Sequence, residues 1–329
     1  MEHYTSLESI YLQDVWLTIG TFDGIHLGHQ EIILSLVSGA RRAGARSVAL
    51  TFFPPPAVVL KKRTDPYYLT SPDERADLIG SLGVDVVITH PFTLQLATRS
   101  AEDFMRELMV HLGLKHLCVG YDFALGRKRE GDVERLEALG KQLGYTLQIV
   151  SAVSKNGQVV SSSLIRSFLA SGEVDRVADL LGRPYRIDGE VVIGDGRGKL
   201  LGIPTANLSV WNERALPKAG VYACRVILDG RVWGAVTNIG VRPTFESQPV
   251  APRVETHILD FSNEIYGRHL CLEFIQQLRD ETRFSGPEAL VEQIHRDISH
   301  TREVLASEGT ERSLISGLFS GGDCHAPVS

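Results

Sequence analysis

GTFDGIHLGH, residues 20–29, stands between two stretches of opposite periodicity. Residues 15–19 before it form a short apolar run of strand length, and residues 29–43 after it place apolar side chains at helical spacing. A strand, a glycine-rich turn and a helix in that order suit anion binding. Gly20, Gly24 and Gly28 allow a tight turn and close approach of the backbone, and the first N–H groups of the helix have no partners within it. His26 and His29 add two donors, and Asp23 a carboxylate. The plainer alternative is a structural turn in which His29 caps the helix and His26 is exposed. Two histidines and Asp23 in this setting favour a phosphate site.

Working outward, the first half alternates short apolar runs with amphipathic stretches. Strands are expected at 47–52, 84–88, 117–119 and 146–150, and helices at 71–82, 101–112, 132–143 and 162–170. The pattern predicts an α/β doubly wound parallel sheet over residues 1–183. After Leu181-Gly182-Arg183-Pro184 the texture changes to β-rich runs at 187–193, 221–228, 232–237, 254–259 and 270–278, which predict a small antiparallel barrel or sandwich. An amphipathic helix follows at 286–305, closing a second domain at 184–305, and residues 306–329 read as a flexible tail.

The totals agree with two soluble domains. The chain has 329 residues, 43% hydrophobic and 22% charged, with a formal net charge of -6, which disfavours a protein built to hold nucleic-acid phosphates. No segment reaches bilayer-spanning length and the first residues lack the pattern of a secretory signal, so the cytoplasm is the expected location and no membrane partner is expected. Four cysteines stand far apart, with no Cys-x-x-Cys and none of the dense spacing of a zinc site or disulfide framework.

Three further stretches carry candidate chemistry. In VSSSLIRS, 160–167, hydroxyls including Ser162 precede a helix bearing Arg166, a guanidinium near unpaired helix amides; N-capping alone also explains the serines. VGYDFALGRKREGD, 119–132, follows a predicted strand end, which puts Asp122, Phe123 and Arg127 near the first loop, because open α/β sheets bind ligands at those ends. In GRGKLLGIPTANL, 196–208, Thr205 and Asn207 present hard oxygens two residues apart on one side of an extended segment, a suitable pair for a magnesium ion bridging phosphates. Gly194, Gly196, Gly198 and Gly202, with Lys199 among them, would form a close flap over a nucleotide. An ordinary hairpin, with Asn207 bonded to backbone, is an equal alternative on these residues alone.

GTFDGIHLGH, TFFPPPAVVL (51–60), VGYDFALG (119–126) and VSSSLIRS together resemble the bacterial bifunctional riboflavin kinase/FMN adenylyltransferase family, also called FAD synthetase. PTAN (204–207), VTNIGVRPTF (236–245) and RVETHILDF (253–261) resemble its kinase domain, and the likeness runs from about residue 15 to residue 300. The resemblance implies two reactions. ATP and riboflavin give FMN and ADP, and ATP and FMN give FAD and diphosphate, with ATP as co-substrate and Mg²⁺ at each site. It implies that His26, His29, Ser162 and Arg166 hold ATP phosphates, that Gly20, Phe22, Asp23, Gly24 and Gly28 shape the nucleotide pocket, and that Asp122 and Phe123 lie on the flavin side. It implies Glu255 as the base for the 5′-hydroxyl, which as an alcohol needs one, and Arg279, Glu281 and Phe284 as flavin-covering residues. Phe53 and Pro55 depart from the acidic and polar residues usual there, Leu164 stands where a polar residue is common, and Leu125 where Phe is frequent. The alternatives are a kinase with a weak or silent adenylyltransferase domain, or a flavin-binding regulator.

Overall fold

The computed structural model describes residues 1–62, 66–194, 196, 198, 201–240 and 252–311. The chain divides into two compact units, Met1–Ser162 and Ser163–Ser329.

The first unit is built on a six-stranded sheet: β1 (Glu2–Tyr4), β2 (Val15–Ile19), β3 (Arg46–Phe52), β4 (Val86–His90), β5 (Leu114–Gly120) and β6 (Thr146–Val150). The order is β1-β4-β3-β2-β5-β6 and every neighbouring pair is parallel. Parallel neighbours need crossovers, supplied by α1 (Leu27–Ala43), α3 (Pro72–Ser81), α4 (Ala101–Leu112) and α5 (Val133–Leu143), with the short α2 (Pro56–Lys61) ahead of α3. Local chemistry fixes their ends. Ser71 and Glu74 form a reciprocal capping box on α3, Ser100 and Asp132 cap α4 and α5, and left-handed Gly44, Gly113 and Gly144 close α1, α4 and α5. Val48, Leu50, Val86 and Ile88 are wholly buried because helices cover both faces of the sheet. Cys118 is a free, buried thiol in this core, pushed up to about 12 by burial.

Chain progression reverses at β2. β3 and β4 lie to one side of it, β5 and β6 to the other, so the crevice beyond the carboxyl ends of β2 and β5 is the switch point where such sheets bind ligands. GTFDGIHLGH follows β2 and VGYDFALG runs out of β5. A small hairpin, β7 (Ser154–Lys155) with β8 (Gln158–Val159), closes the unit.

In the second unit, α6 (Ser162–Ser171) and α7 (Val174–Leu181) precede a closed antiparallel barrel. Its strands are β9 (Tyr185–Val192), β10 (Ala206–Val210), β11 (Gly220–Leu228), β12 (Arg231–Gly240), β13 (Arg253–Ile258) and β14 (His269–Asp280), joined around the wall in the order β10-β13-β12-β11-β14-β9. Closure removes the sheet edges and decides between the barrel and the sandwich left open by sequence. Tyr185, Tyr222, Cys224 and Phe274 fill the interior, and Thr237 and Thr256 share a hydrogen bond of 3.0 Å there. The last helix, α8 (Pro287–Glu311), lays Ile298 on outward-facing Val221, Val236 and Leu259.

Candidate active sites

In the first unit the histidine roles are the reverse of the plain capping reading. His26 is the N-cap of α1: its Nδ1 accepts the His29 N–H at 3.3 Å, and the residue is buried. An Nδ1 that accepts fixes the neutral ring as the tautomer protonated on Nε2. The two rings stack 3.6 Å apart at 18°, and Phe22 meets His29 edge-on at 5.3 Å. A Cβ on Gly20 would come within 2.8 Å of the Phe22 ring, which leaves no room for a side chain there, and one on Gly28 would come within 3.2 Å of His26, a tight contact. Phe22, Gly24 and Ile25 have positive φ, the curled backbone that carries the chain from strand to helix.

Asp23 is placed as a fastener of this loop. Its Oδ1 accepts from the backbone N–H groups of Leu69 and Thr70, at 3.0 and 3.1 Å, and from the Thr70 hydroxyl, while the Thr70 Oγ1 accepts from Gly24 N. Ser162, the last residue of the first unit, donates its hydroxyl to the Asp23 carbonyl at 2.8 Å. Arg166 stands one turn further along α6.

Arg75 was missed by sequence reasoning. It is wholly buried, and its Nη1 donates to the carbonyls of Thr21 and Phe52 and to the Thr51 hydroxyl, tying the end of β3 to the first loop. Read along α3 it is one more charged residue on an amphipathic helix, and no local spacing betrays three acceptors brought from elsewhere. Beyond the end of β3, Phe53 packs its ring on Tyr68 at 5.6 Å, and Pro55 occupies the N-cap position of α2. On the other side of the switch point Asp122 is exposed and its carbonyl accepts from Arg129, whereas Phe123 packs against the sheet core. Arg127 is exposed beside Glu130.

In the barrel, register brings the sequence candidates together. Asn207 on β10 lies directly opposite Glu255 on β13, which lies directly opposite Asn238 on β12. Thr256 and Thr237 point inward, so by alternation this row faces out of the barrel. A Cβ on Gly194 would stand 2.1 Å from the Asn207 amide nitrogen, and one on Gly198 would stand 3.2 Å from the Thr205 hydroxyl. The glycine loop therefore lies so close to both oxygen donors that a side chain at either glycine would displace its neighbours. Two neutral hard oxygens side by side suit Mg²⁺, an ion that commonly completes its shell with phosphate and water. Gly196 and Gly202 have positive φ. Lys199, and residues 241–245 of VTNIGVRPTF, lie outside the described residues.

Arg253 Nη1 is 3.8 Å from Glu255 Oε1, both half-exposed. Of the flavin-side candidates, Glu281 brings Oε1 to within 2.7 Å of where a Gly240 Cβ would stand. Arg279 is bonded to Asp297 of α8 and lies 5.4 Å over the Phe284 ring.

Comparison with known proteins matches two family models to successive parts of the chain. The FAD synthetase family model matches residues 9–164 and the riboflavin kinase family model residues 181–305. A bifunctional riboflavin kinase/FMN adenylyltransferase from Pseudomonas fluorescens is 39% identical over 290 residues, 88% of this chain and 92% of the relative. Its namesake from Bacillus subtilis is 35% identical, covering 85% and 89%, and that of Escherichia coli K12 is 35% identical, covering 87% and 91%. A crystal structure from Streptococcus pneumoniae, described as a macrolide-efflux protein, superposes with a TM-score of 0.84 at 29% identity, over 91% of this chain and 98% of that one. Among the described residues here, no helix is long and apolar enough to cross a membrane.

Proposed function

The chain belongs to the bifunctional riboflavin kinase/FMN adenylyltransferase family, phosphorylating riboflavin to FMN and adenylylating FMN to FAD with ATP, and from that premise we propose which of its residues perform each step.

FMN formation takes place on the outward row of the barrel. Glu255 accepts the proton of the riboflavin 5′-hydroxyl as the oxygen attacks the γ-phosphorus of ATP, a transfer that a positioned carboxylate accelerates by roughly 10²–10⁴-fold. Thr205 and Asn207 would hold Mg²⁺, which when bound offsets the charge of the nucleotide phosphates. Gly194, Gly196, Gly198 and Gly202, with Lys199, cover those phosphates, and Glu281 and Phe284 border the flavin, with Arg279 holding α8 beside them. The observation that carries this reading is the register that sets Glu255 against Asn207.

FAD formation takes place at the switch point of the sheet. The FMN phosphate is already an anion, so the step needs in-line placement and charge stabilisation rather than a base. The amino end of α1, His26 and His29, with Ser162 and Arg166, hold the ATP phosphates and the departing diphosphate. Asp23 keeps the loop in shape, Gly20, Phe22, Gly24 and Gly28 form its walls, and Asp122 and Phe123 lie on the flavin side. Mg²⁺ accompanies ATP here too. Both reactions consume ATP, which supports a cytoplasmic location.

Incubation with riboflavin, ATP and Mg²⁺, followed by separation of FMN from FAD, tests both halves at once. Glu255→Gln should stop FMN formation and leave conversion of supplied FMN to FAD intact. Kinase turnover within a few-fold of the parent would remove Glu255 from the role of base.

A further inference from the structure

Asn238 lies across from Glu255 on the side away from Asn207, and the function above gives it nothing to do. We propose that Asn238 is a positioning residue for the kinase step, holding the Glu255 carboxylate toward the substrate hydroxyl through its side-chain amide. The proposal rests on Glu255 being the base.

Directly opposed residues in an antiparallel pair have Cβ atoms roughly 4.5–5.5 Å apart, within the reach of an amide and a carboxylate. The two asparagines flanking Glu255 are not equivalent. The Asn207 amide lies against the glycine loop, with Nδ2 2.1 Å and Oδ1 2.8 Å from the place of a Gly194 Cβ, where the proposed metal and phosphates belong. The Asn238 amide lies toward Gly240, its Nδ2 3.2 Å from the place of a Cβ there, on the side where Glu281 Oε1 comes within 2.7 Å of the same point. An Asn amide carries two N–H donors, which suffices for a separate bond to each of the two carboxylates.

Three further considerations favour a functional asparagine. Asn is a poor strand former, and here it occupies a paired position two residues from the end of a long strand, half-buried and facing outward, where a β-branched residue would be more stable. It takes no part in the barrel interior, because its neighbour Thr237 makes the inward bond to Thr256. The Arg253 guanidinium, 3.8 Å from Glu255, would draw an unheld carboxylate away from the substrate. A neutral amide on the opposite flank fixes orientation without adding charge.

The test is a double-mutant cycle on FMN formation, with denaturant unfolding of the same samples as the control for folding of the barrel. Asn238→Ala should lower kcat on the order of 10–100-fold with the KM values for riboflavin and ATP nearly unchanged. In a Glu255→Gln background the same substitution should cost less than about twofold, because a residue that acts through Glu255 has nothing left to orient. Asn238→Asp keeps the shape and loses the N–H donors, so it should be at least as slow as the alanine variant; it serves where alanine disturbs the barrel. Full activity in both variants, or an equal loss with and without the Glu255 carboxylate, overturns the proposal. If Glu255→Gln is itself active, the reading of the base has failed, and that result is distinct from a cycle that shows no coupling.

Discussion

Arg279 holds Asp297 with two sides of its guanidinium: Nε lies 3.2 and 3.1 Å from the two carboxylate oxygens and Nη2 2.9 Å from Oδ2. Gln293 Nε2 adds a bond of 2.9 Å to Oδ1. Arg279 sits at the end of β14 and Asp297 in the middle of α8, so the pair fastens the helix to the barrel beside the hydrophobic contact of Ile298 with Val221 and Val236.

Asp297→Ala should therefore destabilise the barrel unit. The side chains are 21% and 5% exposed, and removing one partner of such a pair leaves a poorly solvated charge, at a cost of about 3 kcal/mol, the lower end of the range for buried pairs. Asp297→Asn, which retains acceptor and shape, should lose less. Denaturant unfolding of both variants checks the order, and equal stability of Asp297→Ala and parent would show that the hydrophobic contact alone holds α8.

A second expectation concerns acid. Burial lowers the His90 pKa, only partly opposed by Glu8 and Glu107, and its Nδ1 accepts from Leu7 N at 3.2 Å, a bond available only to the unprotonated nitrogen. The unfolded chain then binds the proton more readily than the folded one. The contribution is full above the ordinary histidine pKa of about 6.5 and is lost as pH falls through the lower folded value. His116 shifts in the same direction through its own burial. His90→Asn keeps an acceptor and does not titrate, so the sheet unit should lose less stability between pH 7.5 and 5.5 than the parent. Parallel pH curves would rule out His90 as a source of acid sensitivity.

How much of this was legible in the sequence depended on whether the deciding contacts are local. The five longer strands of the sheet and its longer helices were readable because period and caps act within a few residues, as with Ser71 and Glu74. Asn156-Gly157, both with positive φ between β7 and β8, was an available hairpin signal that went unread. β1 is three residues long and pairs with β4 more than eighty positions away, so nothing nearby marks it. In the sites, residue types pointed to Asn207 and the histidines and only the family resemblance pointed to Glu255, while the roles of Asp23 as a fastener, Arg75 as a tie and Asn238 as the far neighbour of Glu255 depend on long-range pairing.

The glycine loop offers a test that separates function from stability. Ala at position 194 would place its Cβ 2.1 Å from the Asn207 amide nitrogen, and Gly194 does not have a positive φ, so the backbone accepts alanine. The Asn207 side chain can rotate away at small cost to folding, but it then leaves the proposed metal position. Gly194→Ala should keep the unfolding free energy within about 0.5 kcal/mol of the parent, as surface substitutions usually do. It should raise the Mg²⁺ concentration needed for half-maximal FMN formation, with FAD formation unchanged. An unaltered Mg²⁺ titration would count against Asn207 as a ligand.

The sharpest expectation for the sheet unit concerns His29, whose ring stacks on His26 and whose backbone N–H is already taken by the His26 cap. His29→Ala leaves that backbone bond in place, so the start of α1 should survive and the loop should keep its course. What is lost is the ring donor proposed to hold the ATP phosphates. Such a contact strengthens as charge builds on the departing diphosphate, so its removal should lower turnover more than it weakens ATP binding. Loss of a single donor to developing charge is worth roughly 10²–10³ in kcat. His26→Ala should behave differently, because it removes the cap as well, with a cost of about 1 kcal/mol in stability. FAD formation from supplied FMN, titrated separately in ATP and FMN, with thermal unfolding of the same samples, distinguishes the two. A His29→Ala enzyme with parental turnover, or one whose whole defect is in ATP affinity, would show that this ring does not stabilise the charge on the leaving diphosphate.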